Sequence, residues 1–286
     1  MNASADPAAV QVTTVSELFY RLVAERDYRR LLAMCDAPSL ANAEIGGRIR
    51  SYAEAMIAGK RVFTIAVAGL SFDLEIGDDN VGHDIFVAGG ELPEAETMGW
   101  VRRMPVLPGS TILDIGANAG SYTIFLAKLH PGCRIVPFEC HPQMCERLRR
   151  NVARNGLRNV DLSHLGFAIG AGVGRARLIP DLRYGAVGTQ VTPDAKGDVA
   201  VRSIDSLGIA GVGFAKIDVE GAELSVLLGM QRLLDAEPFP MLCEVAQGNH
   251  LGFLRLIAQY RFRLLAAVGP KGTEPPPYLD ILLDRR

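Results

Sequence analysis

From residue 110 onward, strand-like runs alternate with segments of helical periodicity. Runs of strand character occupy residues 111–115 and 134–139, and apolar residues recur at helical spacing after each of them. Similar strand-like runs follow at residues 161–167, 214–219 and 241–245. Such alternation predicts an α/β fold, with a mostly parallel sheet and helices on both of its faces. The last two predicted strands, 263–268 and 278–284, have no helix between them, so the seven-stranded sheet should end in an antiparallel strand.

The first part of the chain, residues 1–104, is predicted to be an extension of an α/β domain that spans residues 105–286. Its first dozen residues are small and polar and should be disordered. A capping-box pattern at residues 14–17 and an apolar face along residues 45–56 indicate two helices. A β-hairpin is expected around Gly69, followed by a lid-like loop region. We expect its first part, about residues 1–90, to select the substrate or to form a homodimer contact.

Composition excludes several classes of partner. The formal net charge is −2, which does not support a general nucleic-acid or anionic-membrane surface. The chain starts without a basic flank and apolar core, and no apolar stretch is long enough to span a bilayer, so neither a secretory signal nor a membrane anchor is expected. An odd number of cysteines without a paired framework indicates reduced thiols and a cytoplasmic location. These cysteines are Cys35, Cys133, Cys140, Cys145 and Cys243.

A glycine-rich turn joins the first predicted strand of the α/β domain to a helix. It reads Asp114-Ile115-Gly116-Ala117-Asn118-Ala119-Gly120. Glycine lets a ligand approach the backbone closely, and the helix start presents free N–H groups. The dinucleotide spacing G-x-G-x-x-G would need glycine at positions 118 and 121. The chain has D-x-G-x-N-x-G instead, in which the acid repels a pyrophosphate but can accept from the ammonium of a methionine moiety. The turn therefore favours S-adenosylmethionine over NAD.

Glu139 ends the next predicted strand. A carboxylate at that position can bind both hydroxyls of an adenosine ribose, as the acid does in dinucleotide folds. An exposed acid at a strand end would explain Glu139 equally well in isolation. The glycine turn one strand earlier favours the ribose interpretation.

A third group of polar residues lies at the end of the predicted strand 214–219. Strand periodicity places Lys216, Asp218 and Glu220 on one side, at the end of the sheet where ligands bind in open α/β folds. Glu244 ends the following strand and points to the same rim, and His250 opens the next helix. All five are candidate catalytic residues, although a structural ion pair and a helix-capping acid would also account for the first three.

Taken together, these segments resemble the FkbM family of methyltransferases over about residues 105–250. The matching pieces are Asp114 to Thr123, Phe138-Glu139, Asn151 and Asn155, Lys216 to Leu224, Leu227 to Met230, and Glu244. The resemblance implies a Rossmann-like class I methyltransferase fold with S-adenosylmethionine as the donor. It also implies O-methylation of a hydroxyl on a natural product or sugar.

Carried over by position, the resemblance assigns the methionine end of the donor to the glycine turn and the ribose to Glu139. It places Asp218 near the sulfonium and the acceptor. The residues that would bind the donor are Asp114, Gly116, Ala117, Asn118, Gly120, Tyr122, Glu139 and Asp218. Cys140 departs from the family, which commonly has proline there, and this leaves the adenine contacts open.

The expected reaction is transfer of a methyl group to a hydroxyl of a small-molecule or carbohydrate acceptor. The hydroxyl must lose a proton, which Asp218, Glu220, Glu244 or His250 could accept. Two neighbouring acids could instead hold a divalent cation, although no metal is predicted. A non-catalytic donor-binding subunit and an NAD-dependent enzyme are the alternatives. A nucleic-acid base methyltransferase is a further one, but it would usually show an Asn/Asp-Pro-Pro-aromatic segment where this chain has Asp218-Val-Glu-Gly.

Overall fold

The computed structural model describes residues 15–37, 40, 44–181, 185–270 and 275–285. The predicted disorder of the first dozen residues lies outside this part of the chain. Contacts divide the chain into two compact units, residues 1–60 and 61–286. The division falls earlier than the boundary that we predicted at residue 104, so the hairpin and the two helices after it belong to the same unit as the sheet.

The first unit is helical in the residues that the structure describes. Its helices are α1 Val15–Ala24, α2 Tyr28–Met34 and α3 Glu44–Ala58. The side chain of Asp27 accepts a hydrogen bond from the Arg30 N–H at 3.1 Å and so caps the start of α2. Leu31 and Tyr52 are fully buried within this unit. The sequence predicted α1 and α3 but not the short helix between them.

The second unit begins with the predicted hairpin and continues into the alternating region. Its elements are β1 Val62–Val67, β2 Leu70–Glu75, α4 Val81–Ala88, α5 Ala95–Val101, β3 Thr111–Ile115, α6 Ser121–Leu129, β4 Arg134–Phe138, α7 Pro142–Arg154, β5 Phe167–Ile169, β6 Gly174–Asp181, β7 Gly185–Pro193, β8 Val199–Arg202, β9 Val212–Ile217, α8 Glu223–Leu228, α9 Gln231–Ala236, β10 Met241–Ala246, α10 His250–Gln259, β11 Arg263–Val268 and β12 Tyr278–Asp284.

Within the described residues, the main sheet has six strands in the order β11-β12-β10-β9-β3-β4. Strands β4, β3, β9 and β10 are parallel to one another, and β12 runs antiparallel to both β10 and β11. The predicted antiparallel end of the sheet is therefore confirmed. Parallel strands bring their carboxyl ends to one edge, which is where the predicted polar residues meet.

The predicted strand at residues 161–167 is not part of this sheet. Only an isolated bridge between Ile135 and Val160 takes its place beside β4. Asp161 explains the interruption, because its carboxylate accepts a hydrogen bond from the Ser163 N–H at 3.0 Å and starts a short 3₁₀ turn. The chain then enters a smaller sheet, in which the strand order is β5-β8-β6-β7.

Helix α7 ties the hairpin to the main sheet. The Asn151 carboxamide oxygen accepts a hydrogen bond from the Glu75 N–H at 2.9 Å, and its amide donates to the Ala119 carbonyl at 2.9 Å. Asn155 bonds the backbone of Asp73 through both ends of its amide. These bonds satisfy backbone groups along β2 without a further strand, so the hairpin packs as part of the second unit.

The same helix holds α4 through a buried ion pair. The Arg147 guanidinium donates to both oxygens of Asp84 at 3.0 and 2.8 Å and also contacts Asp79. Both the Arg147 and Asp84 side chains are almost fully buried. Two buried charges are tolerated only when each has such a partner, so this pair fixes the position of α4.

The interior of the second unit is apolar. Its centre is formed by side chains from the parallel strands and the helices that cover them, such as Phe138, Ile217, Val226 and Phe253. In the part of the chain that the structure describes, no helix combines the length and the apolar character needed to cross a membrane.

We expect the substitution Arg147→Leu to lower the free energy of unfolding by about 3–5 kcal/mol, because it leaves Asp84 buried without its charge partner. Urea unfolding followed by circular dichroism measures this change. Arg149→Leu on the same helix is the control, because the Arg149 side chain is 48% exposed and its pairing with Glu146 spans 3.8 Å. Its cost should stay below about 1 kcal/mol. Equal losses in the two variants would contradict the importance of the buried pair.

Candidate active site

A cavity of about 630 Å³ opens at the carboxyl ends of β3, β4, β9 and β10. This size is in the usual range of small-molecule sites. It lies entirely within the second unit. The predicted site residues that line it are Gly116, Asn118, Tyr122, Glu139, Lys216, Asp218, Glu220 and Glu244. The fold therefore brings together, in one cavity, two groups of predicted residues that lie about a hundred positions apart in the sequence.

The glycine turn forms one wall of the cavity. Gly116 has φ +83°, and a Cβ atom there would lie 1.7 Å from the carbonyl oxygen of Asp218. Gly120, with φ +95°, precedes α6, and a Cβ atom there would lie 2.2 Å from Leu148. Only glycine fits these positions, because both the backbone angle and the space exclude a side chain. Ala117 is buried, and neither it nor Gly120 lines the cavity, so these two residues shape the turn.

Asn118 lies at the tip of the turn with φ +50°. Its side-chain oxygen accepts hydrogen bonds from the Ala119 N–H at 2.8 Å and from the Asn80 amide at 3.0 Å. Asparagine tolerates this left-handed conformation better than most residues because its side chain bonds the local backbone.

Glu139 follows β4 and reaches back to the turn. One of its carboxylate oxygens accepts the Asn118 N–H at 2.8 Å, and the other accepts the His141 N–H at 2.7 Å. Burial raises the pKa of Glu139, and these N–H donors partly offset that effect. The carboxylate is thus held in place at the edge of the cavity, and His141 lines the cavity beside it.

Asp114 lies beneath the cavity rather than in its wall. It is fully buried, and its carboxylate accepts the Thr123 hydroxyl at 2.5 Å. Its other oxygen lies 3.9 Å from the Lys216 ammonium. The sequence suggested that Asp114 binds the methionine ammonium of the donor. Its location favours a different role, in which it fixes Thr123 and Lys216 below the turn.

Lys216 connects the two strand ends. Its ammonium donates to Asp218 at 3.0 Å and to the Gly116 carbonyl at 3.4 Å, and it lies 4.9 Å from the centre of the Tyr122 ring. Burial alone would lower the pKa of Lys216, but Asp218 and Asp114 outweigh burial and raise it. The lysine is therefore a fixed positive charge under the cavity.

Carboxylates dominate the opposite wall. Glu244 and Asp280 are directly opposite each other on the antiparallel strands β10 and β12. Burial, followed by repulsion from Asp218 and Asp280, raises the pKa of Glu244 to about 10. Burial and Asp218 raise the pKa of Asp280 to about 7. Glu244 therefore carries a proton at neutral pH and can donate a hydrogen bond.

Three acids at the ends of β9 and β10 lie close enough to one another to share a cation. Oxygen atoms of Asp218, Glu220 and Glu244 all lie within 4.8 Å of one another. Carboxylates are suitable ligands for Mg²⁺ or Ca²⁺. The Lys216 ammonium already occupies one oxygen of Asp218, so this group has a positive partner without a metal.

His250, which the sequence predicted as a catalytic residue, and Glu223, which follows β9, both make structural contacts. The His250 Nε2 lies 3.0 Å from the Val245 carbonyl oxygen, and His250 does not line the cavity. Glu223 accepts the Gly221 N–H at 2.6 Å and the Asn249 amide at 2.7 Å, and so holds the turn after β9. The structure therefore does not bring His250 to the site.

The cavity also contains residues that the sequence did not single out. Among them are His83 from α4, Glu94 and Thr97 from the start of α5, and Tyr278 and Asp280 from β12. The Thr97 and Tyr122 hydroxyls are 2.5 Å apart. Asp280 lies opposite Glu244 because β12 also pairs with β10, which the predicted pairing of the last two strands did not indicate. His83 and Glu94 belong to no motif, and only the folded chain brings them to the cavity.

Comparison with known proteins identifies one family. Residues 114–264, more than half of the chain, match the model of the methyltransferase FkbM domain. Methyltransferase sdnD of Sordaria araneosa is 30% identical, over 42% of this chain and 60% of that protein. The 31-O-demethyl-FK506 methyltransferase FkbM of Streptomyces tacrolimicus is 28% identical, over 50% of this chain and 66% of that protein. The chain thus spans less than two thirds of the length of these curated relatives.

Among solved structures, a methyltransferase FkbM from Methylobacillus flagellatus KT aligns with 91% of this chain and 60% of that chain. The sequence identity is 14% and the TM-score is 0.44.

We expect Asp280→Asn to stabilise the protein above neutral pH. The folded protein holds the Asp280 proton up to about pH 7, whereas the unfolded chain releases it near pH 4. Stability is therefore lost as pH rises between these values, and the asparagine variant escapes this loss. The gain in unfolding free energy should be about 1–3 kcal/mol at about pH 8 and should vanish near pH 4.

Urea unfolding across this pH range measures the gain from Asp280→Asn. The control is Asp235→Asn, at an exposed position of α9. A gain that is independent of pH, or equal in the control, would contradict the proposed repulsion within the acidic wall.

Proposed function

Because the chain belongs to the family of FkbM methyltransferase domains, we propose that it transfers a methyl group from S-adenosylmethionine to a hydroxyl oxygen of a small-molecule or carbohydrate acceptor. One observation carries the proposal. A single cavity has the glycine turn and Glu139 on one wall and the acids of β9, β10 and β12 on the other. The first wall suits a nucleoside donor and the second suits a hydroxylated acceptor.

The donor half fits S-adenosylmethionine in its shape and its chemistry. Gly116 allows the turn to pack against the Asp218 carbonyl, and this packing brings the turn and the end of β9 to the same cavity. Glu139 and Asn118 would bind the ribose and the methionine end, respectively. The acidic wall would favour the sulfonium, because a cation in a cavity rich in carboxylates is attracted to them.

The acceptor half would orient a hydroxyl toward the donor methyl group. Since S-adenosylmethionine is already activated, the protein has to supply alignment, exclusion of water and a place for the proton. Glu244, with a pKa of about 10, would donate a hydrogen bond to the acceptor rather than accept its proton. Asp218 has one oxygen bonded to Lys216 and would accept a hydrogen bond from a second, non-reacting hydroxyl of the acceptor through the other.

The name of one relative supports an oxygen acceptor. The protein from Streptomyces tacrolimicus is named for 31-O-demethyl-FK506, a name that places the missing methyl group on an oxygen. An exposed Glu220 at the cavity rim leaves the acceptor side accessible to solvent, which is compatible with an acceptor larger than the cavity.

Calorimetric titration tests the donor assignment. We expect S-adenosylhomocysteine to bind and NAD not to bind. Glu139→Gln should weaken the binding of S-adenosylhomocysteine by about 10–100-fold, because a charge-assisted hydrogen bond to the ligand is worth roughly 1.5–3 kcal/mol. Glu146→Gln, on the exposed face of α7, is the matched control and should bind as the wild type does. Binding of NAD alone would overturn the proposal.

Transfer itself is tested with donor that carries a deuterated methyl group. Candidate acceptors are methyl glucoside, methyl rhamnoside, trans-1,2-cyclohexanediol and 31-O-demethyl-FK506, with methylated product detected by mass spectrometry. Product that carries the label on oxygen supports an O-methyltransferase. Binding of the donor without transfer to any of these acceptors would favour a non-catalytic donor-binding protein.

We expect transfer to be unchanged after treatment with EDTA, because the Lys216 ammonium already neutralises Asp218. The rate with the best acceptor is measured before and after chelation and after addition of Mg²⁺. A rate that falls with EDTA and recovers with Mg²⁺ would instead assign the Asp218, Glu220 and Glu244 group to a cation.

A further inference from the structure

We infer that His83 is the residue that accepts the proton of the acceptor hydroxyl during methyl transfer. This inference rests on the proposed function and adds a residue to it. His83 lies on α4, outside the sequence motifs, yet it lines the same cavity as Asp218 and Glu244.

The position of the imidazole is the first observation. The His83 side chain is only 10% exposed. Neither ring nitrogen has a hydrogen-bond partner among the described residues. The nearest carboxylate oxygens belong to Asp84, at 3.7 Å from Nδ1, and to Glu94, at 3.8 Å from Nε2. A buried imidazole usually bonds at least one partner, so this ring has capacity for a ligand in the cavity.

The surroundings hold the ring in a fixed place. Asp84 accepts hydrogen bonds from Arg147 and from the Gly77 N–H at 2.8 Å, so the helix that carries His83 is anchored to α7. Glu94 has one buried oxygen without a hydrogen-bond partner among the described residues. Catalytic hydrogen bonds are often long before the substrate binds and shorten in the complex, so Glu94 is placed to orient the imidazole.

Three charged groups surround the ring, namely Asp84 on its own helix, Glu94 before α5 and Lys216 on β9. Burial lowers the pKa of His83, but Glu94 and Asp84 outweigh burial and the opposing charge of Lys216, and the pKa rises above its usual value. The base is active only when the ring is neutral, so turnover increases as pH rises through this pKa.

The other candidates for the base are less suitable, and of these Glu220 is exposed to solvent at the cavity rim. Glu244 already holds a proton at neutral pH, and the ring of His250 lies against the Val245 carbonyl outside the cavity. One oxygen of Asp218 is occupied by Lys216. An imidazole has an intrinsic pKa close to neutrality, which suits a general base at physiological pH.

The transfer step conserves atoms and charge. The acceptor oxygen forms a bond to the methyl carbon, and its proton moves to an imidazole nitrogen of His83. The carbon–sulfur bond breaks and its electron pair goes to sulfur, which turns the cationic sulfonium into a neutral thioether. The imidazolium then releases its proton to solvent.

An NMR titration tests the position of His83 without an acceptor. The full chain is labelled with ¹³C in the ring of its five histidines, and His83→Gln assigns the His83 signal. We expect the His83 pKa to be lower in the S-adenosylmethionine complex than in the S-adenosylhomocysteine complex by about 0.5 pKa units or more, because only the former carries a positive charge at sulfur.

Two results would overturn the inference from this titration. Equal pKa values in the two complexes would place His83 away from the sulfonium. An equal rise of the His83 pKa in both complexes would indicate that His83 lies beside the methionine carboxylate of the donor. Failure of both ligands to bind would contradict the proposed function instead, so the two ideas fail separately.

Kinetics with the acceptor that the wild type methylates best provide a second readout. His83→Gln should lower kcat by about 100-fold or more, which is the usual contribution of a general base, with less than about a twofold change in the affinity for S-adenosylhomocysteine. Glu94→Gln should lower kcat by less than His83→Gln does and should move the acidic limb of the pH profile to lower pH, because the variant loses the charge that raises the His83 pKa.

His130→Gln is the matched control, since His130 does not line the cavity. A wild-type acidic limb that persists in His83→Gln, or a loss of donor affinity that accounts for the whole loss of rate, would show that His83 is not the base.

Discussion

The buried ammonium of Lys216 holds together the two strand ends from which the site is built. It lies within reach of the Asp114 and Asp218 carboxylates and the Gly116 carbonyl. An unpaired lysine at this depth would lose its charge, and unpaired acids would gain protons. The three charges therefore stabilise one another, and they fix the end of β9 against the glycine turn that follows β3. Gly116 also lies so close to the Asp218 carbonyl that no side chain fits between them.

Two further acids of the cavity, Glu244 and Asp280, are arranged differently. Glu244 and Asp280 are opposed across two strands, and both have raised pKa values. A protein that only had to fold would gain stability by replacing one of them, since a buried carboxyl group can ionise here only against repulsion from its acidic neighbours. Binding sites typically retain groups that lower the stability of the fold because function requires them. A donor with a sulfonium would relieve this repulsion, so the acidic wall and the cationic donor of the proposal support each other.

Much of this architecture could be predicted from the sequence, because it depends on local patterns. Apolar runs and helical periodicity indicated the parallel strands, and the missing helix between the last two strands indicated their antiparallel pairing. The residues at the ends of β4 and β9 were predicted to meet because parallel strands share one edge. The strand at residues 161–167 was predicted wrongly, because the Asp161 side chain bonds the backbone ahead of it and starts a turn.

Burial and long-range contacts were harder to predict. The acid of the glycine motif, Asp114, has the spacing of a ligand-binding residue, yet it lies beneath the turn and pairs with Thr123 and Lys216. His83 is the opposite case. It matches no sequence motif, yet the fold places it in the cavity wall.

The contact that places His83 explains why a sequence pattern could not reveal it. Helix α4 is anchored by Arg147, and Arg147 lies on α7, the helix that follows Glu139 along the chain. Glu139, the proposed ribose acid, precedes α7, and His83, the proposed base, lies on α4. The Arg147–Asp84 ion pair between these two helices thus connects the positions of both residues. A change in this ion pair would therefore disturb the acceptor side and the donor side together, even though Arg147 does not line the cavity. This coupling is a reason to regard the segment from β1 to α5 as part of the active unit, in agreement with the division of the chain at residue 60.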